Sequence, residues 1–549
     1  MPKRLLTAVF AAAALAVPAP ALAGSWAVGA GPAGLAALQA QLPTARTLVP
    51  GRALVVHGAR PHVRGAAYVV NLDAGTQRSV AFANPEPDAL QQWYLTQDLA
   101  WDHWVTEPTL KPVKVAVVDS GIDYGHPDFR GQIAGGISYV GGSWKQDTCG
   151  HGTFVAGEIA ASPFNGIGIA GLAFNAKLLI AKVVRSDCNV DTEAEIDGIM
   201  WAVKHGARVI NLSIGGNRDP QDSDVDTYSA PEEQAVEYAY SKGVLVVAAA
   251  GNGTTAPKTP WVYADYPAAL PHVVGVGAIN QSGSVPNYSN RDAQYVDIAA
   301  PGGPIFSTIP RDLIDDSVPS CAGVAYSNCG PTEFQDGIGT SFAAPQVSAA
   351  AALLLGQDPN LTPDQVEWLL ERSATDATHA SGCSTCPAGR DSLTGWGDLN
   401  IAAALTMLGD GTNLPAPDAY EPNDNANTPG ASAYPFGPPR TIEATLDYWD
   451  DPIDVYSIKL TQGTRIFAHV GGVGSPDPRL TLWKPGTSDV TASPRLLLDD
   501  RAARSSAAGG QQRLSYTVPV TGTYYLEAKV ASPTRDPDQY ELSVSIDKP

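Results

Sequence analysis

The chain has 549 residues, enough for about three to four domains, and 35 Lys+Arg against 56 Asp+Glu set its net charge at −21. An acidic body excludes nucleic-acid binding, which needs a basic face to displace counterions, and 44% hydrophobic residues exclude global disorder. The charge is uneven: residues 1–72 carry six Lys or Arg and no acid, leaving −27 on the rest, an asymmetry that marks parts with different fates.

The first predicted element is a secretory signal peptide over residues 1–23. Lys3 and Arg4 precede an uncharged run over residues 5–17, and Ala21-Leu22-Ala23 forms a small-residue cleavage site. That run is shorter than the roughly 20 apolar residues needed to cross a bilayer, and no later stretch spans one. The expectation is a soluble, secreted, extracellular protein. Export admits disulfides. Six cysteines allow fifteen pairings; closeness in sequence favours Cys321–Cys329 and Cys383–Cys386, leaving Cys149–Cys188. In the chain-entropy model that last loop contributes about 3–4 kcal/mol.

Gly29, Gly31 and Gly34 match a dinucleotide-binding G-x-G-x-x-G fingerprint. That chemistry needs a strand before it, a helix after it and an acid about 20 residues on. The strand would fall largely in the signal peptide and no acid precedes Asp73, so the string reads as a small-residue spacer. One strand-like run follows, at residues 67–72.

Residues 113–119 read as a buried strand ending in Asp119 and a Gly turn, the kind of apolar run found in parallel sheets. Ligand and catalytic groups gather at the carboxyl ends of such strands. His151 lies between two glycines at a predicted helix start, a plausible place for a base. Residues 244–253 form a second buried strand ending in Gly251-Asn252-Gly253. Ser341 precedes a small-residue apolar helix, where the dipole favours developing negative charge.

The order Asp, His, Ser, each in a Gly-rich turn, is one of the convergent serine-protease arrangements. The blocks D-S-G-I-D (119–123), G-H-G-T-F-V-A-G (150–157) and G-T-S-F-A-A-P (339–345) resemble those of the subtilisin-like serine proteases, the subtilases, over roughly residues 90–405. The resemblance implies an α/β, three-layer fold with a mainly parallel central sheet over residues 84–408. It implies a triad of Asp119, His151 and Ser341, with Asn252 donating to the oxyanion. Ser213, Gly215 and Gly216 resemble the substrate-pairing edge. Asp265, beside Tyr266-Pro267, falls at the base of the primary specificity pocket, where it would favour Lys or Arg before the scissile bond or else be a solvated loop acid. Structural calcium is implied at Asp128, Asn165 and the carbonyls of Ile167 and Ile169, the Pro163 carbonyl being offset. Phe154 stands where many relatives have a second His.

By the same resemblance, residues 24–83 are expected to be a zymogen pro-segment that inhibits the enzyme, its arginines docking on the acidic body, with processing between about 73 and 90. Residues 409–420 read as a linker. Short alternating strands over 421–549 predict a β-sandwich resembling the bacterial pre-peptidase C-terminal domain. The overall expectation is a monomeric secreted serine endopeptidase acting on proteins or peptides, with no nucleic-acid partner. The alternatives are a non-catalytic binding protein on a protease fold and a processing protease with one target.

Overall fold

The computed structural model describes residues 24–29, 32–49, 53–58, 63–64, 68–71, 86–100, 110–163, 165–253, 256–314, 332–415, 418–427, 432–449, 451–472, 478–490, 500–505, 511–530 and 538–547. The expected signal peptide, most of the expected processing region and the Cys321/Cys329 pair lie outside these residues. Two compact units form, Met1–Ala83 and Asn84–Pro549.

In the first unit, strands β1 (Gly24–Gly29), β2 (Arg46–Val49), β3 (Ala53–Gly58) and β4 (Tyr68–Asn71) make an antiparallel sheet in the order β2-β3-β1-β4. Helix α1 (Pro32–Gln41) follows β1, and Val28, Leu38, Leu54 and Val56 form a small core. This corrects the spacer expectation: the glycine string includes the end of β1 and the start of α1. Because β1 pairs antiparallel with both neighbours, no parallel βαβ crossover results and the dinucleotide reading still fails.

The second unit is built on seven parallel strands: β5 (Val113–Asp119), β6 (Ile133–Ser138), β7 (Ala176–Lys182), β8 (Val209–Leu212), β9 (Leu245–Ala249), β10 (Val273–Asn280) and β11 (Ile298–Gly303). Their order is β11-β10-β9-β8-β5-β7-β6, and β12 (Ile305–Thr308) pairs antiparallel with β13 (Phe334–Gly337) as a separate ribbon. Every residue of β5 except Lys114 is buried, as expected of a sheet covered on both faces. Register puts Asp119 opposite Lys182 and Val117 opposite Asn211, so the carboxyl ends of β5, β8 and β9 open on one edge.

Helix α2 (Tyr94–Gln97) packs near the start of the unit. Helix α3 (His151–Ala160) contacts β5 and β7. Helices α4 (Thr192–Lys204) and α5 (Ala230–Ser241) cover one face, where Ile199, Ala202, Val236 and Ala239 meet Ala116, Val118, Ile210 and Val246. Helix α6 (Ala344–Gln357) is buried along Ala344–Gly356 and packs on β5, β8 and β9. A helix this rich in Ala and Leu belongs inside, its buried Gln346 and Ser348 bonding to Glu158 and Asn211; each of Leu353, Leu354 and Leu355 contributes about 1.5–3 kcal/mol by burial. The Cys149–Cys188 and Cys383–Cys386 bridges both form.

Beyond helices α7 (Pro363–Ser373) and α8 (Ile401–Gly409), two sheets face each other. Strands β14 (Tyr434–Pro435), β16 (Ile453–Leu460), β18 (Arg479–Trp483), β19 (Arg501–Arg504) and β21 (Gly522–Lys529) form one, in the order β14-β16-β21-β18-β19. Strands β15 (Arg440–Leu446), β17 (Arg465–Gly472), β20 (Gln511–Thr517) and β22 (Asp538–Asp547) form the other, in the order β15-β22-β17-β20. Alternate residues such as Ile442, Ala444 and Leu446, or Ile466, Ala468 and Val470, point into a shared core, the period-two pattern of a β-sandwich. The sandwich contacts the α/β part: His272 Nε2 lies 2.9 Å from Asp424 Oδ2 and the Trp449 ring lies 3.7 Å from the Arg390 guanidinium. Among the described residues no helix is long and apolar enough to cross a membrane.

Candidate active site

Asp119 ends β5 fully buried, and His151 is the first residue of α3. The imidazole Nδ1 lies 2.9 Å from both Asp119 carboxylate oxygens. Burial opposes an imidazolium there, but the charge and hydrogen bond of Asp119, with Asp147 behind, prevail and raise the His151 pKa.

A residue absent from the sequence reading holds this pair. Asp147, 5% exposed, accepts from Cys149 N (3.1 Å), Gly150 N (2.8 Å), Thr153 N (2.8 Å) and Thr153 Oγ1 (2.7 Å). Ser120 Oγ also donates to it at 2.8 Å and accepts from Gly152 N at 2.8 Å, while Ser120 N donates to Asp119 Oδ1 at 2.6 Å. Asp147 thus serves as the anion at the start of α3, satisfying amides that lack helical partners. Gly150 enters the helix at φ 85°, and a Cβ on Gly152 would come within 2.3 Å of the Gly121 carbonyl. Both positions need glycine. The signal was an Asp four residues ahead of His151 at a predicted helix start, with Thr153 two residues beyond it.

Ser341 sits in the tight turn Thr340–Phe342 before α6. Thr340 N and Oγ1 both donate to Asn252 Oδ1, at 2.8 and 3.0 Å, and Gly251 N donates to Thr340 Oγ1 at 3.1 Å. With Oδ1 so engaged, Nδ2 is the donor end that Asn252 has left among the described residues. On the other side of Ser341, the Phe342 ring packs 5.7 Å from His151 and 4.2 Å from buried Phe154. Phe154 therefore supports the serine turn by packing. Ser213 Oγ donates to the Ser341 carbonyl at 2.7 Å and accepts from Asn211 Nδ2 at 2.9 Å. The structure brings together Asp119 with His151, Asn252 with the serine turn, and Ser213 beneath it.

Gly216 exchanges both backbone hydrogen bonds with Tyr266, at 2.9 Å each, so its pairing capacity is already used. Asp265 is half-buried rather than solvated. It accepts from Asn290 Nδ2 at 3.0 Å, and its Oδ2 would lie 2.1 Å from a Cβ on Gly251. Burial pushes its pKa up to about 7, against the Asn290 hydrogen bond.

At the expected calcium site, Asp128 is fully buried and accepts from Asn165 Nδ2 at 2.7 Å and Ile169 N at 3.1 Å. Glu86, which the sequence reading missed, accepts from the amides of Asn165 (2.8 Å) and Ile167 (3.0 Å). Burial raises the Asp128 pKa to about 7, with the Asn165 and Ile169 hydrogen bonds lowering it and the charges of Glu86 and Glu333 adding to the rise.

Comparison with known proteins gives concordant matches. Subtilisin E of Bacillus subtilis (strain 168) is 38% identical over 265 residues, covering 48% of this chain and 60% of that protein. Subtilisin DY of Bacillus licheniformis is 35% identical over 265 residues and 84% of its length. Fervidolysin of Fervidobacterium pennivorans is 35% identical over 319 residues, 40% of its length. This chain thus spans 60% of subtilisin E and less of fervidolysin. A crystal structure of a lanthipeptide protease overlays 58% of this chain at a TM-score of 0.47 and 26% identity, covering 94% of that chain. Residues 111–397 match the subtilase family, and the chain belongs to it.

Proposed function

We propose that the protein is a secreted serine endopeptidase, made as a zymogen, that cleaves peptide bonds through Asp119, His151 and Ser341. The observation that carries this reading is the His151 Nδ1 held 2.9 Å from both oxygens of a buried carboxylate. With Nδ1 committed to Asp119, Nε2 is the basic position. It takes the Ser341 Oγ proton as oxygen bonds to the scissile carbonyl carbon. Asn252 Nδ2 donates to the resulting oxyanion. The imidazolium then protonates the leaving amine, the C–N bond breaks, and water hydrolyses the acyl-enzyme by the reverse roles.

For the substrate, we assign backbone pairing to Gly215, a wall to Gly216 and Tyr266, and a preference for Lys or Arg before the scissile bond to Asp265. Calcium at Asp128, Asn165 and the Ile167 and Ile169 carbonyls fits the buried, acid-flanked Asp128 carboxylate and the preference of calcium for hard oxygen ligands. When bound, calcium would brace that loop. Residues 24–83 would act as the inhibitory pro-segment.

Fluorophosphonate labelling tests the reading. Mature protein should be labelled on Ser341 and Ser341→Ala should not. Unlabelled mature protein would overturn it in favour of a non-catalytic binding protein.

A further inference from the structure

The outer face of the sheet β15-β22-β17-β20 carries an open groove of about 710 Å³, the size of a ligand site. Ile442, Ala468, Leu514 and Val544 fill the sandwich core from this sheet, so their neighbours in sequence face outward. Register aligns four of these in one row across the strands: Thr441 opposite Ser543, Ser543 opposite His469, and His469 opposite Arg513. With strands about 4.8 Å apart, the row runs about 14 Å. The next row sets Ser545 and Ser515 on either side of Phe467, and Arg440 lines the same groove.

Among the described residues no acid lines the groove. Arg440 rests against Phe436 and Tyr420, 5.7 and 5.9 Å from their ring centroids, contacts that hold a guanidinium without neutralising it. Arg513 is exposed, and among the described residues neither guanidinium has a hydrogen bond or ion pair within the protein. His469 Nε2 is buried in the groove with no hydrogen-bond partner. The acids of this face lie outside it: Glu443 and Glu541 sit opposite each other one row beyond Thr441 and Ser543, and Asp547 sits opposite Arg465. A positive groove on a chain of net charge −21 selects an anion.

The lining narrows the class of anion. The groove lies on a sheet face whose strands are already paired with one another, so an extended peptide finds no edge there to add to. One Phe ring among hydroxyls does not make the apolar centre of a protein interface. A sugar chain bearing carboxylates meets every feature: its hydroxyls the Ser and Thr side chains, its carboxylates the forked guanidinium groups, and its C–H faces the Phe467 ring. We propose that this groove binds a uronate-bearing polysaccharide, so that the sandwich tethers the enzyme to acidic glycan.

The test titrates full-length Ser341→Ala protein into a fluorescently labelled hyaluronate oligosaccharide, a uronate polymer, and follows anisotropy. The parent should bind it and should ignore labelled dextran, which has the hydroxyls without the charge. Arg440→Ala with Arg513→Ala, both exposed positions, should weaken Kd about 10–100-fold at an unchanged melting temperature. Arg479→Ala with Lys529→Ala removes the same charge from an exposed pair on the other sheet and should leave Kd as it was. No binding by the parent, equal loss in the two double variants, or no loss in either would overturn the proposal. Polyglutamate bound as tightly as hyaluronate would also overturn it, in favour of acidic peptides.

Discussion

Replacing Asp147 by Ala removes the acceptor for five donors: Cys149 N, Gly150 N, Thr153 N, Thr153 Oγ1 and Ser120 Oγ. Each stranded buried donor costs about 1–3 kcal/mol, and losing a helix cap alone costs about 1 kcal/mol. These losses overlap because the turn relaxes as one piece, so the expected destabilisation is about 3–5 kcal/mol. Differential scanning calorimetry on the Ser341→Ala background, which cannot digest itself, should show a melting temperature lower by roughly 6–20 °C. In the active form, kcat on a peptide substrate should fall by about 10²-fold, since His151 begins the helix that Asp147 holds and small displacements of a base are costly. Asp147→Asn can keep its oxygen for the three donors at Oδ1 while facing Thr153 with an amide, and should lose about half as much stability. Melting and turnover of Asp147→Ala equal to the parent would refute the assignment of Asp147 as the anchor of the catalytic base.

Thr340→Val removes the hydroxyl between Gly251 N and Asn252 Oδ1. Its kcat should drop about fivefold, the worth of a hydrogen bond near 1 kcal/mol, with KM little changed in steady-state assays. Asp265→Asn should erase the preference for Arg over Phe in matched peptides by about 10–100-fold; equal Arg and Phe rates in the parent would defeat that role. His151 must be neutral to act as a base and its pKa is raised, so the acid limb of kcat/KM should lie above the ordinary histidine value of 6.5. His272 is raised from 6.5 to about 10, Asp424 and Glu237 overcoming its burial. Its stabilisation is then complete below about pH 6.5 and fades as pH rises toward 10. His272→Gln should flatten that part of the melting temperature against pH.

What could be read in advance was whatever local pattern encodes. The apolar run of β5 announced a buried parallel strand and the residue at its end, and the glycine-framed blocks announced the turns that bring Asp119 to His151 and Asn252 to the serine turn. Alternation along β15 and β17 likewise announced the sandwich. Contacts across long separations that no cysteine or motif marks were not legible. Ser120 reaches Asp147 over 27 residues and His272 reaches Asp424 over 152, and nothing at either end marks the partner. In the first unit the run at 67–72 announced β4, but β1 and β3 escaped notice because they are short and carry glycine at their ends, with little alternation to distinguish them from loop. Gly216 matched its motif, yet its hydrogen bonds go to Tyr266, which only the folded chain reveals.

The bridge from Cys149 to Cys188 has a consequence for when the enzyme can work. Cys149 stands two residues before His151, and its own amide is one of those that Asp147 holds. The turn presenting His151 is therefore tethered by a covalent bond to a loop 39 residues downstream. In a thiol-rich compartment that tether stays open. Mild reductant should slow the enzyme without touching its serine, which would tie its rate to the redox state of its surroundings.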